Sequence, residues 1–268
     1  MKIGKATVPR TAICTSDEHT IVIRGQDLSK DLIGKISFVD HFFLLLTGKH
    51  PTPGETAVLN ATLVAIAEHG LVPSVQAARM TFAAAPDAMQ GAVAAGILGC
   101  GSVVLGSSET AGRFYAEIDA QTKTGTPLNE AALAVMKEWR AAKRSIPGYG
   151  HPLHKERDAR VGALFDTAKA AGTSLRFVDI AEVVESLIPE VLGKPLKLNV
   201  SGAIPAVLLG AGFPVEALKG VPILARTAGL IAHMYEEMQQ PIGFALSYQA
   251  TREMEYEGAL PAHFGKHE

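Results

Sequence analysis

The run from Asp87 to Gly106, DAMQGAVAAGILGCGSVVLG, limits the fold more tightly than any other stretch of the chain. It reads as an apolar helix with Asp87 as its N-cap, yet it carries Gly91, Gly96, Gly99 and Gly101. A glycine in a helix interior costs roughly 1 kcal/mol relative to alanine, so this clustering needs a compensating gain. The simplest is close approach of a second helix backbone, so the run reads as half of a buried helix pair, with a dimer interface as one setting for it. Its apolar part, Gly91 to Gly106, falls short of the roughly 20 residues that span a bilayer. The remaining composition agrees with packed helices. Hydrophobic residues make up 47% of the chain and aromatics 6%, which favours cores of Ala, Leu, Val, Ile and Gly over an aromatic-rich sandwich. A chain of 268 residues is long enough for one large domain, or for a large domain with a smaller one attached.

Outside that run the pattern is mostly helical. His19 to Arg24 alternates branched side chains before Gly25 and predicts a short strand. Ser37 to Pro51 predicts a Ser-capped helix ending near Gly48. Gly54 to Gly70 places Val58, Leu59, Thr62, Leu63, Ile66 and Ala67 on one stripe. Further helices are expected within 108–143 (broken by a loop from Thr122 to Pro127), over 158–171, from Phe177 to Leu192, and over 199–211 and 221–239, with an irregular tail from Glu253. The net charge is −2 with scattered basic residues, so nothing resembles a nucleic-acid footprint. Cys14 and Cys100 suggest no disulfide framework and lack companions at metal-ligand spacing. The start, MKIGKATVPR, has no apolar signal-like run, so a soluble cytoplasmic protein without membrane partners is expected.

The stretch IPGYGHPLHKERDAR, residues 146 to 160, holds the chemistry candidates. Gly148 and Gly150 around Tyr149 allow the backbone to come close to a ligand and offer free N–H donors ahead of His151. The plain alternative is a Pro/Gly turn with an exposed histidine. Arg160 would sit in the first turn of the helix beginning near Asp158, where a cation opposes the dipole unless an anion lies nearby. Its planar fork suits a carboxylate. His69 reads locally as a favourable neighbour of a helix C-terminus. Arg226 opens ARTAGLIAHMYEEM and raises the same dipole question as Arg160, His233 reads as packing, and Lys155 and Arg157 can be plain solvated charges. Nucleophile-elbow, Walker and strand-borne GxGxxG motifs are absent.

These residues carry a resemblance. PGYGHPLHKERDAR is similar to the PGYGH…DPR signature of the citrate synthase superfamily, and IRGQDL to its YRG…DL segment. AEHG resembles its DHE-type motif, LARTAGLIAHMYEE its late ART-G helix, and LNVSGAIPAVLLGAGFP its NVD…GFP segment. The resemblance implies an all-α homodimer with a large helical domain (1–105 and 211–268) and a smaller one (106–210). It also implies carbon–carbon chemistry between a coenzyme A thioester and a keto acid.

The departures point to one branch. Val104 stands where citrate synthases carry the histidine of G-P-L-H-G, Pro241-Ile-Gly-Phe244 lacks their late arginine, and the chain is short. The lost histidine and the short length both fit the citryl-CoA lyase branch, which includes the C-terminal module of ATP-citrate lyase, while Val104 and the missing late arginine argue against a condensing enzyme. For that branch the resemblance implies His151 on the substrate hydroxyl and Arg160 and Arg226 on its carboxylates. It further implies His69 orienting the substrate, and Gly148, Tyr149, Gly150 and Lys155 toward coenzyme A, with no metal. A separate ligase that forms the thioester is an open partner. Ser201 stands where the NVD aspartate is expected. A serine hydroxyl is no general base near neutral pH without a neighbouring base, though it can donate a hydrogen bond. A condensing enzyme, or a coenzyme A-binding homologue without the chemistry, are the competing readings.

Overall fold

Short-range chemistry dictates the first elements of the chain. In the computed structural model, which describes residues 9–101, 105–150 and 156–265, the strands β1 (Cys14–Ser16), β2 (Ile21–Ile23) and β3 (Gln26–Asp27) form an antiparallel meander. Register is set by Cys14 opposite Ile23 and Val22 opposite Asp27. Arg24 and Gly25, both at positive φ, turn the chain between β2 and β3. The Arg24 guanidinium then donates from Nε to the Leu45 carbonyl at 3.0 Å, tying the meander to the first helix. That helix, α1 (Phe38–Thr47), starts with a reciprocal capping box between Ser37 and Asp40 and stops at left-handed Gly48. The expected stripe buries Val58, Leu59, Thr62 and Ile66 in α2 (Pro53–Ala67).

Nine further α-helices follow among the described residues: α3 (Pro73–Ala84), α4 (Met89–Leu98), α5 (Ser107–Lys123), α6 (Leu128–Ala141), α7 (Ala159–Ala170), α8 (Arg176–Leu192), α9 (Val200–Gly210), α10 (Gly220–Gln239) and α11 (Gly243–Glu253). The fold class is the expected helical one. The chain divides into two compact units: the segment up to Ala67 with Gly101–Ala225, and Glu68–Cys100 with Arg226–Glu268. In the first, α9 is the central element. Every residue from Gly202 to Leu208 is buried, and α2, α5, α7 and α8 pack around it. The residues 106–210 expected to form a smaller domain lie wholly within this unit.

In the second unit α3 packs on α4, and Val75, Ala78, Phe82, Ala92, Leu230 and Met234 form its core. The glycine-rich run proves more selective than its sequence suggests. Gly96 is the glycine that needs to be small, because a Cβ there would meet Leu230 Cδ1 and the Ser74 carbonyl at 2.8 Å. Gly91 meets nothing closer than 3.7 Å, and Gly99 and Gly101 lie past the helix end. Nor does Asp87 cap the helix. A tight turn, with Ala88 N–H donating to Ala85 O, places it one residue too early, and Ala88 holds the cap position. Among the described residues no helix is long and apolar enough to cross a membrane.

Candidate functional site

Two sequence motifs that lie 50 residues apart meet in the first unit. Gly150 N–H donates to Lys197 O at 2.7 Å, Asn199 N–H donates to Gly148 O at 3.0 Å, and the Asn199 side-chain amide reaches Gly150 O at 2.7 Å. Tyr149 pairs with Leu198 in an isolated antiparallel bridge. The Gly-Tyr-Gly segment therefore behaves as a strand laid against the lead-in to α9. Gly148, at φ +88°, lies so close to α9 that a Cβ would fall 2.6 Å from Gly202 Cα, and a Cβ on Gly202 would fall 2.9 Å from Gly148 O. Both glycines are thus required by mutual backbone approach. Tyr149 is buried, donates to Ala181 O at 2.8 Å and shares a 3.0 Å hydrogen bond with the Tyr115 hydroxyl. Burial pushes both phenols up, so both stay protonated as neutral hydrogen-bonding groups. The Tyr149 side chain and the Gly148 and Gly150 backbone are occupied by the chain itself.

This junction positions Ser201. Asn199 caps α9, its side-chain oxygen accepting the Ser201 N–H at 2.9 Å, so Ser201 lies in the first turn. Asp158 adds negative charge at the same helix start. Its carboxylate accepts the Val200 N–H at 3.3 Å and also caps α7 by accepting the Arg160 N–H at 3.0 Å. Arg160 Nε and Nη2 grip the same carboxylate at 3.0 and 2.8 Å, and Nη1 reaches Ala65 O at 3.3 Å. The unfavourable position of Arg160 in the helix dipole is therefore offset within the chain by the cap residue. Burial raises the Asp158 carboxyl, but Arg160 and the amide donors outweigh it and hold the group below its ordinary range. Arg157 pairs with Glu182 and Glu185 at 3.4 and 3.5 Å.

The second unit presents the opposite situation. Arg226 lies in the second turn of α10, since that helix begins at Gly220 rather than near Arg226 itself. The dipole argument thus loses its force there, because the effect fades within the first turn. What replaces it is burial: Arg226 is 2% exposed, and its Nε and Nη1 have no hydrogen-bond partner. Ser74, 1% exposed, also leaves its hydroxyl unpartnered. Cys100 lies beside both. Burial raises its thiol, which donates to the Gly96 carbonyl at 3.4 Å, and the Arg226 charge pulls the other way without cancelling the effect. A buried guanidinium with free hydrogens costs several kcal/mol of desolvation unless an anion meets it.

His69 stands outside its helix. α2 ends at Ala67, and Gly70 takes the left-handed conformation at φ +71°. The turn is held by Glu68, whose Oε1 accepts the Gly70 N–H at 2.5 Å and whose Oε2 meets His233 Nε2 at 3.0 Å. His69 itself is exposed. His151 and Lys155 lie outside the described residues, as does Val104.

The family model described as "Citrate synthase, C-terminal domain" matches residues 5–243, most of the chain. The chain belongs to the citrate synthase family. Against the citrate synthase of Synechocystis sp. it is 28% identical over 210 residues, covering 76% of this chain and 50% of that relative. The chain spans about half the length of the curated relatives it matches. Solved structures add a full-length parallel. The citryl-CoA lyase of Hydrogenobacter thermophilus superposes with a TM-score of 0.82 at 35% identity, covering 95% of this chain and 96% of that one. The ATP citrate lyase of Methanosaeta concilii, solved with (3S)-citryl-CoA, superposes with a TM-score of 0.77 at 24% identity over 96% of this chain and 43% of that one. That second likeness is one of fold alone.

Within this family frame the sequence reading missed Ser74, Asp158 and Glu68 as site neighbours. Asp158 had a visible signal, an acidic residue two positions before Arg160 at a helix start. Ser74 and Glu68 had none, since burial singles out the first and pairing with the distant His233 the second. No cluster of three or more His, Cys, Asp or Glu side chains suited to a metal occurs among the described residues.

Proposed function

We propose that this citrate synthase family member cleaves citryl-CoA, or a closely related 3-hydroxyacyl-CoA, into acetyl-CoA and oxaloacetate or its analogue. The observation that carries the reading is Arg226, a fully buried guanidinium whose Nε and Nη1 hydrogens have no partner in the protein. Such a group fits a substrate carboxylate bidentately. Cleavage is favoured over condensation because the near end-to-end likeness is to a stand-alone citryl-CoA lyase, whereas the citrate synthases match over half their length.

In this reading His151 takes the proton of the tertiary hydroxyl as the carbon–carbon bond breaks. The carbonyl of the keto acid forms, and the bonding electrons pass to the thioester as an enolate, which is then protonated to acetyl-CoA. Ser201, at the start of α9, donates a hydrogen bond to the enolate oxygen. Arg226 holds one carboxylate, and Arg160 holds another once the substrate displaces its present partner, Asp158. His69 orients the substrate. Lys155 meets coenzyme A, which serves as the thioester carrier, and no metal takes part. Residues 106–210 form the smaller domain of a cytoplasmic homodimer that works with a separate thioester-forming ligase.

The test supplies citryl-CoA to the purified protein and follows oxaloacetate release. Turnover that drops sharply in Arg226→Met and His151→Ala is the expected result. Coenzyme A binding without any turnover sinks the lyase reading. It would support the second reading, a binding homologue without the chemistry, which Ser201 in place of the family aspartate favours.

A further inference from the structure

The chain of contacts that ends at His69 begins 168 residues later in the sequence. Arg79, 3% exposed, donates from Nε to Glu237 at 2.6 Å and from Nη1 to Glu236 at 2.5 Å, and from Nη2 it reaches Gln240 O at 3.1 Å. Glu237 in turn accepts the Ile242 and Gly243 N–H groups at 2.9 and 2.7 Å, so the Arg79 guanidinium is locked from two sides. Nη1 of this fixed cation also lies 3.4 Å from His233 Nδ1. An arginine nitrogen has no lone pair to give, so Nδ1 must accept and the ring hydrogen sits on Nε2. That hydrogen points at Glu68 Oε2, 3.0 Å away. Glu68 spends its other oxygen on the Gly70 N–H and so closes the turn over His69. Its carboxylate therefore brackets His69 on the backbone side.

We propose that His233 is a positioning residue for His69: through the carboxylate of Glu68, it fixes the turn that presents the His69 side chain. The inference rests on the reading of His69 as a substrate contact. It explains why an imidazole, and not an apolar side chain, stands on this face of α10. Packing alone would be served by leucine, whereas a link between a guanidinium and a carboxylate needs one acceptor and one donor on opposite edges of the same group. Burial raises the Glu68 carboxyl, but the His233 hydrogen bond and the Gly70 amide bring it below its ordinary value, as befits a carboxylate that stays charged to hold the turn.

The experiment combines citryl-CoA kinetics with amide hydrogen exchange on the intact protein. His233→Ala should lower kcat/KM by about 10- to 100-fold, mainly through KM, because small displacements of an orienting group have effects of that size. The His69 and Gly70 amides should exchange about tenfold faster or more, while the α2 amides ahead of them keep their protection. His233→Gln, whose amide can donate to Glu68 and accept from Arg79, should restore both readouts. Glu68→Gln should reproduce the loss by a second route. In the His69→Ala background, His233→Ala should cost nothing further, since the two act in series. Losses that add, or His233→Ala with wild-type KM and unchanged exchange beside an impaired His69→Ala, overturn the positioning role. If His69→Ala itself cleaves at the wild-type rate, the assignment of His69 to the substrate is what fails, whatever His233 does to exchange.

Discussion

The junction of Gly148–Gly150 with α9 and the surroundings of Arg226 come from motifs that look equally functional in sequence, yet they use their polar groups in opposite ways. At the junction the Tyr149 hydroxyl, the Asn199 amide and the Asp158 carboxylate all find partners within the chain. Around Arg226 two guanidinium nitrogens and the Ser74 hydroxyl find none. The first is an arrangement that stabilises the fold. The second is one that a fold pays for and a ligand rewards. A motif's composition does not distinguish the two; the accounting of buried hydrogen-bond partners does.

Perturbing the two places should therefore move different observables. Arg226→Met should lower kcat/KM for citryl-CoA by roughly 30- to 5,000-fold, the usual result of removing one side of a buried charge-assisted pair. Its melting temperature should stay level or rise, because an unpaired buried charge is gone. A fall in stability comparable to the loss of rate would erase the contrast. Gly148→Ala should do the reverse and destabilise by about 3 kcal/mol, since left-handed φ costs roughly 1–2 kcal/mol for an L residue and the backbone clash adds more. Chemical denaturation measures it, and a cost under 1 kcal/mol would show that the Gly148–Gly202 approach is slack.

Tyr149→Phe should cost about 1–3 kcal/mol by leaving Ala181 O and the Tyr115 hydroxyl short of a partner, read from the same denaturation curves. Asp158→Asn sharpens the comparison in acid. The folded Asp158 pKa is depressed, so its contribution is fully present above the ordinary value of 3.8 and disappears as pH falls below it toward the depressed one. At neutral pH the variant should lose about 1 kcal/mol, a typical cap value, and the gap to wild type should close as the pH drops through that window. Smallest of all, Ser74→Ala should change stability by less than about 0.5 kcal/mol, because an unpartnered hydroxyl contributes no hydrogen bond to lose.

Where local chemistry decides, the sequence is a good guide. The Ser37 capping box, the α2 stripe and the Asp158 cap of α7 are all readable from neighbours within four residues. The elements that escaped are held by distant partners. α3 carries Gln76 and Arg79 on what looks like a broken apolar pattern, and Arg79 is at home in the core only because Glu237, 158 residues on, neutralises it. α11 has a weak pattern of its own, and its opening amide at Gly243 is satisfied by that same Glu237. The site shows the same division. Arg226 was legible as a cation near a helix start, for a reason that the true start at Gly220 removes, while its lack of partners could be seen only in three dimensions. His233 looked like packing because the donor and acceptor on its two edges come from α3 and from the turn after α2.

One carboxylate, that of Asp158, begins both α7 and α9, whose first turns are 40 residues apart in the chain. The two helix starts are therefore coupled through one side chain. Withdrawing that carboxylate removes an acceptor from the start of α7 and from the start of α9 at once, with Asn199 left as the remaining cap of the helix that carries Ser201. Two residues of separate motifs, Ser201 and Arg160, thus share one anchor with no covalent counterpart.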